Sequence, residues 1–178
     1  MSVTNRKNFS IAVIGHTGRG KTEFTKKLLR ITNKPVFVYD VNNEYFGEFH
    51  KNKGLPEMKD FLKEATKKTG TNILFEEATI FLSNTGKIEE VRNILVRKRH
   101  TQNNIFFVFH SLRSLPVEIA DLLDFIVLFH TNDRDTLIKS KFRDDVELTE
   151  MFDRVKEKTE NTIPTQENFF YYEILSKT

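Results

Sequence analysis

The chain has 178 residues, 38% hydrophobic and 30% charged, which is typical of one soluble globular domain. No stretch approaches the roughly 20 apolar residues of a membrane span, and the start, MSVTNRKNFS, lacks the apolar core of a signal peptide, so we expect a cytoplasmic protein. The absence of cysteine excludes disulfides, iron–sulfur clusters, thiolate zinc sites and a cysteine nucleophile.

The net charge of +3 is unevenly distributed along the chain. Residues 1–34 carry eight Lys or Arg and one acid, whereas residues 101–178 carry nine Lys or Arg and fourteen acids. Three explanations are open: an anionic ligand near the amino end, head-to-tail contact between copies, or scattered solvated charge.

Short apolar runs alternate with helical patterns along the chain. Runs that are apolar at nearly every position are typical of strands covered on both faces, so we expect an α/β fold with a mostly parallel sheet and helices on both faces. We predict one domain over 1–178, with a core at about 9–130 and helices and a closing strand over 131–178. The predicted strands are 10–14, 35–40, 72–75, 105–109, 125–129 and the closing strand 168–175, and the predicted helices are 21–31, 55–69, 88–96, 116–123, 133–143 and 145–158.

The segment between the first strand and the first helix has the pattern of a phosphate-binding loop, G-x-x-x-x-G-K-[ST]. Its glycines let successive N–H groups point at phosphate oxygens, and the following helix adds its positive dipole end. We expect the Lys21 ammonium to reach the β- and γ-phosphates of ATP and the Thr22 hydroxyl to ligate Mg²⁺. His16 and Arg19 occupy variable positions, where we expect solvent-facing side chains, with phosphate contact as the alternative. The nucleotide-binding residues are Gly15, His16, Thr17, Gly18, Arg19, Gly20, Lys21 and Thr22.

Carboxylates follow the second and third strands. Phosphoryl transfer requires an acid for the metal and a group that orients the attacking water, so we assign Glu76 to the Mg²⁺ shell and Glu77 to the water. A polar strand end with both acids in solvent is the alternative. The segment 40–45 follows the second strand, and a plain Asx turn without a catalytic role is one interpretation of it.

Two further groups are candidates for catalysis. His110 ends the fourth strand, where we expect it to sense the γ-phosphate; a structural histidine is the alternative. The basic run Arg97-Lys98-Arg99-His100 ends a helix, where cations are favoured, but it also fits an arginine finger that reaches a neighbouring subunit.

Together these motifs resemble the FtsK–HerA superfamily of DNA-pumping ATPases. The small genome-packaging ATPases of internal-membrane viruses look most similar, followed by the Zot-like ATPases of filamentous phages. The motifs that carry the resemblance are GHTGRGKT at 15–22, VFVYDVNNEY at 36–45, ILFEEA at 73–78 and RKRHTQNNIFFVFHSLRSLP at 97–116.

The resemblance implies a RecA/FtsK-like P-loop NTPase that forms a hexameric ring around double-stranded DNA, and that docks on capsid or portal proteins in the host cytoplasm or virion. It favours Arg99 as the finger, with Arg97 in reserve. Two residues depart from the family pattern, because Glu76 replaces the usual Asp and His110 replaces the usual Gln. DNA contacts, independent of base sequence, are expected from loops at 50–53 and 86–87.

Three other functions are weighed against a packaging motor. A Zot-like export ATPase usually carries a transmembrane segment after the ATPase, which we do not find here. A small-molecule kinase requires an Arg-rich lid and leaves Glu77 unexplained. A nucleotide-binding regulator that does not hydrolyse ATP requires no arginine finger.

Overall fold

Six strands form one mixed sheet in the computed structural model, which describes residues 8–51, 56–82, 85–161, 163 and 165–177. The strands are β1 (Ser10–Ile14), β2 (Val36–Tyr39), β3 (Asn72–Phe75), β4 (Asn104–Phe109), β5 (Phe125–Phe129) and β6 (Tyr172–Ser176). Their order is β2-β3-β4-β1-β5-β6; the first five strands run parallel, and β6 pairs antiparallel with β5. This arrangement confirms the predicted fold class.

The helices that connect the strands vary widely in length. They are α1 (Lys21–Thr32), α2 (Met58–Ala65), α3 (Thr79–Leu82), α4 (Thr85–Thr101), α5 (Val117–Ala120), α6 (Asp135–Lys141), α7 (Val146–Glu160) and α8 (Gln166–Phe169). None of the helices in the described part of the chain is long and apolar enough to cross a membrane.

The two faces of the sheet bury separate apolar cores, because successive side chains of a strand point to opposite faces. In β1, Ala12 and Ile14 pack into the larger core, whereas Ile11 and Val13 pack into the smaller one. The larger core includes side chains of α2 through α7. Among the described elements, α1 is the helix that contributes side chains to the smaller core. This core also contains Tyr45, from the segment after β2.

The carboxyl end of the chain differs from its prediction. The predicted closing strand over 168–175 is wrong at its start, since Thr165 accepts a hydrogen bond from the Asn168 amide and caps α8. The strand itself begins at Tyr172. The short helix α3 was not predicted, and α4 is longer than the predicted 88–96.

Parallel strands bring their carboxyl ends to one edge of the sheet. At this edge the segments after β1, β3, β4 and β5 meet, which is where ligands bind in open α/β sheets. The register places Ile14 beside Phe109 of β4, and Val13 beside Val127 of β5. The loop that follows β1 is therefore flanked by the ends of both neighbours.

Candidate active site

The segment 15–20 is a loop held between the ends of β4 and β5. The Gly15 amide donates to the Phe109 carbonyl at 3.1 Å, and the His16 amide donates to the His130 carbonyl at 2.8 Å. A Cβ at Gly15 would lie 2.5 Å from the Cβ of Phe129, so a larger residue does not fit. Gly20 has a φ of 90°, in the left-handed region that favours glycine, and leads directly into α1.

The Lys21 side chain is buried inside this loop. Its Nζ donates to the His16 carbonyl at 3.1 Å and lies 3.5 Å from Nδ1 of His110. Burial lowers the pKa of Lys21, while the carboxylates of Glu77, Glu44 and Glu76 act in the opposite direction. All three acids therefore lie near enough to this ammonium to interact with it.

Thr22 contacts Glu44, an acid for which no role was expected from the sequence. Its hydroxyl donates to Oε2 of Glu44 at 2.5 Å. The buried Asp40 fixes this segment, because it accepts hydrogen bonds from the amides of Glu44 and Tyr45, each at 2.9 Å. Nε2 of His50 lies 2.8 Å from the same carboxylate. Asp40 thus forms the turn, and the turn presents Glu44 to the phosphate loop.

Glu76 lies at the same edge but faces the segment after β2. Its carboxylate accepts from the Val41 amide at 3.1 Å and from Nδ2 of Asn42 at 2.9 Å. Burial raises the pKa of Glu76 to about 7, and the neighbouring carboxylates of Glu77 and Glu44 add to the rise.

The donors around Thr22 suit Mg²⁺, which prefers hard oxygen ligands and is held in proteins by one or two side chains together with substrate phosphates. Thr22 offers a hydroxyl, and Glu44 and Glu76 offer carboxylates close to Lys21. No cluster of three or more His, Asp or Glu that could hold a metal occurs among the described residues. A metal ion here would therefore need a phosphate to complete its shell.

Glu77 and His110 form a contact between the ends of β3 and β4. Nε2 of His110 contacts Oε1 of Glu77. The other ring nitrogen, Nδ1, lies 3.4 Å from the Thr17 hydroxyl and 3.5 Å from Nζ of Lys21. The His110 ring therefore lies between the Glu77 carboxylate and the side chains of Thr17 and Lys21. Glu77 has a φ of 56°, a left-handed conformation that is uncommon for such a residue.

Asp133, in the segment after β5, holds the turn that follows His110. It accepts from the Ser111 hydroxyl at 2.6 Å and from the Leu112 amide at 2.7 Å. No role for Asp133 was expected from the sequence, because a single acid in a loop carries no pattern.

The variable residues of the loop differ from each other. His16 is exposed, as expected. Arg19 is half-buried, and its guanidinium lies 4.2 Å from the centroid of the Phe169 ring and donates to the Phe169 carbonyl at 3.2 Å. It also lies 3.4 Å from Nδ1 of the buried His130.

The basic run at the end of α4 lies at the opposite edge of the sheet, where β4 begins. Arg97 and Arg99 are exposed there, and the structure does not bring them to the phosphate loop of the same chain. Lys98 was grouped with them but is buried, with Nζ 2.8 Å from Oδ2 of Asp124 and 2.7 Å from the Ser10 hydroxyl.

The two segments predicted to contact DNA are not equivalent. Residues 52 and 53 lie outside the described residues, and His50 is bound to Asp40. Residues 86 and 87 are not in a loop, as they belong to the first turn of α4.

Comparison with known proteins gives one family and several similar structures. The model of the family described as the central domain of the helicase HerA (DUF87) matches residues 7–172. A comparison with curated protein sequences finds no significant match.

The genome-packaging NTPase B204 of Sulfolobus turreted icosahedral virus 2, in complex with AMP, is similar with a TM-score of 0.71 and 16% identity, over 96% of this chain and 93% of that one. The DNA-packaging ATPase B204 of Sulfolobus turreted icosahedral virus has a TM-score of 0.68 and 15% identity, over 95% and 98%. The N-terminal domain of zonular occludens toxin from Neisseria meningitidis reaches 0.49 at 17% identity, over 69% and 76%, a likeness too weak for argument.

Proposed function

Because this chain belongs to the family of the HerA helicase central domain, a family of P-loop NTPases, we propose that it hydrolyses ATP to move double-stranded DNA, as the genome-packaging motor of a virus or mobile element. The observation that carries the proposal is the grouping of Lys21, Thr22 and three carboxylates at one edge of the sheet. The similar fold of a viral genome-packaging NTPase supports the packaging role.

In the proposed reaction the loop amides and Lys21 hold the phosphates of ATP. The buried ammonium is the charge best placed to neutralise the oxygen that bridges the β- and γ-phosphates as the bond breaks. Thr22 and Glu76 would hold Mg²⁺, and Glu44 accepts a hydrogen bond from the Thr22 hydroxyl. Mg²⁺ bound there would supply positive charge to the phosphates of ATP.

Glu77 orients the water that attacks the γ-phosphorus and accepts its proton, and ADP and inorganic phosphate are released. Nε2 of His110 contacts Glu77 and Nδ1 faces Lys21, so the ring links the water-activating acid to the residue on the γ-phosphate. When the γ-phosphate moves, it therefore alters the surroundings of both Glu77 and Lys21, the two residues that face the His110 ring. This geometry supports His110 as the sensor.

We place the finger in a neighbouring copy. Arg99, with Arg97 in reserve, is exposed at the edge of the sheet remote from its own loop, so it fits a site on another subunit better than its own. Head-to-tail contacts close into rings when the rotation between copies closes, and we propose such a ring here, a hexamer that encloses DNA and docks on capsid or portal proteins in the cytoplasm or virion. The basic amino-terminal and acidic carboxyl-terminal regions suit such contacts.

The function is tested by the ATP hydrolysis rate with and without double-stranded DNA, measured on samples whose solution mass is known. A ring whose rate rises with DNA of any sequence, and falls back as salt increases, supports the motor. A monomer that turns over only with a small phosphate acceptor would identify a kinase and refute the proposal.

A further inference from the structure

The phosphate loop has two different flanks, which fix the direction in which a bound nucleotide runs. The side towards β4 and β3 carries Glu77 and His110, the partners of the γ-phosphate in the proposed function. A triphosphate that follows the loop from this end brings its nucleoside towards the opposite flank, where β5 and β6 lie.

That opposite flank is aromatic. Phe170 lies directly against the loop, since a Cβ at Gly20 would be 3.2 Å from its Cδ1 atom. Phe169 is covered by the Arg19 guanidinium at 4.2 Å. The two rings are perpendicular, with centroids 5.1 Å apart, and so form a corner beside the last residues of the loop.

Both rings of this corner remain partly exposed to solvent. Phe169 is 40% and Phe170 is 42% exposed. Tyr172, two residues further on, is 40% exposed as well, but its ring packs against Phe24 and Phe129, with centroid distances of 5.0 Å to each. Nucleotide pockets use such flat apolar surfaces, because the faces of a base are hydrophobic and polarisable.

We infer that Phe170, supported by the stacked pair of Arg19 and Phe169, is the platform on which the purine base of the bound nucleotide stacks. This inference rests on the proposed function, because it concerns the same site. The platform recognises the aromatic face of the base and makes no contact with the phosphates. Its contribution therefore belongs to the nucleoside alone, and a ligand that consists only of phosphates should not use it.

The experiment compares the affinities of Mg²⁺-ATP and of inorganic tripolyphosphate with Mg²⁺, each by titration calorimetry, for the wild type and Phe170→Ala. Removal of a stacking ring typically weakens base binding about tenfold, so the affinity for ATP should fall by that factor while the affinity for tripolyphosphate is unchanged. Phe170→Tyr keeps the ring and should bind ATP like the wild type. Ile174→Ala, a 45% exposed residue of β6, is the matched control and should change neither affinity.

Two results would overturn the inference. If Phe170→Ala leaves the ATP affinity unchanged, the base does not stack there. If it weakens ATP and tripolyphosphate equally in a variant whose circular dichroism is normal, the ring supports the loop instead. Failure of the wild type to bind either ligand would instead refute the proposed function.

Discussion

Replacement of Asp124 by alanine should destabilise the protein strongly, because it would leave the Lys98 ammonium buried without its counter-charge. The two side chains are only 9% and 5% exposed, and the Nζ to Oδ2 distance is 2.8 Å. The Ser10 amide and hydroxyl also donate to this carboxylate, at 2.8 and 2.9 Å. The pair therefore ties the end of α4 to β1 and to the start of β5.

Loss of one partner of a buried ion pair typically costs about 3–5 kcal/mol in the free energy of unfolding. For a chain of this length that corresponds to a fall in Tm of about 6–20 °C. Thermal and urea unfolding followed by circular dichroism measure the change. Asp121→Ala removes an exposed acid three residues earlier and is the matched control.

The double variant Lys98→Met/Asp124→Leu separates the charge from the packing. Since it leaves no unpaired charge, it should be much more stable than Asp124→Ala. If Asp124→Ala instead loses less than about 1 kcal/mol, the pair behaves as a solvated surface contact and the reasoning is refuted.

The same pair predicts a dependence on pH. Burial alone would raise the pKa of Asp124, but hydrogen bonds from Lys98 and the Ser10 amide outweigh it and hold this pKa below its ordinary value of 3.8. The stability that the carboxylate contributes is then present above pH 3.8 and is lost as the pH falls through the lower folded-state pKa. The difference between the wild type and Asp124→Ala should accordingly shrink in acid.

Three other variants test the site. Lys21→Ala should abolish ATP hydrolysis with an unchanged circular dichroism spectrum; turnover by this variant would remove the ammonium from the mechanism. Arg99→Ala should stop hydrolysis but be rescued in mixed rings that supply a neighbour's arginine, whereas normal hydrolysis would place the finger elsewhere, with Arg97→Ala the next variant to assay. Glu76→Gln should raise the Tm measured without nucleotide, and more so at pH 8 than at pH 5. The pKa of Glu76 is raised from 4.5 to about 7 in the folded state, so the wild type loses stability as the pH rises from 4.5 through 7, by up to about 3 kcal/mol. The glutamine variant, which does not ionise, avoids this loss. An equal effect at both pH values would show that Glu76 titrates normally.

The sheet was predictable from sequence because its strands are buried on both faces. Runs such as FIVLF at 125–129 admit few other interpretations, and every residue of β5 is indeed buried. The carboxyl end was harder, because NFFYYEIL is as apolar as a strand throughout. The Thr165 cap of α8 was the available signal against a strand over residues 168–170.

The placement of a residue, though not its role, was predictable where its type follows a strand directly. Lys21, Glu77 and His110 were expected at one edge, and His110 contacts Glu77 and lies 3.5 Å from Nζ of Lys21. Thr22 and Glu76 lie at the same edge, where they contact Glu44 and the segment after β2. Glu44 was harder to assign, since it reaches Thr22 only through the turn that Asp40 organises. Lys98 was misjudged because its partner Asp124 is remote in sequence, and no local pattern reveals a buried ion pair of that kind.

The most direct test of the central claim is the effect of Glu77→Gln on nucleotide binding and turnover, measured on the same preparation. The amide keeps the size of the side chain but cannot accept a proton from water. Our account predicts ATP affinity like that of the wild type and a hydrolysis rate reduced by about 10²-fold or more. An unchanged hydrolysis rate would contradict the claim that Glu77 activates the attacking water at this edge of the sheet.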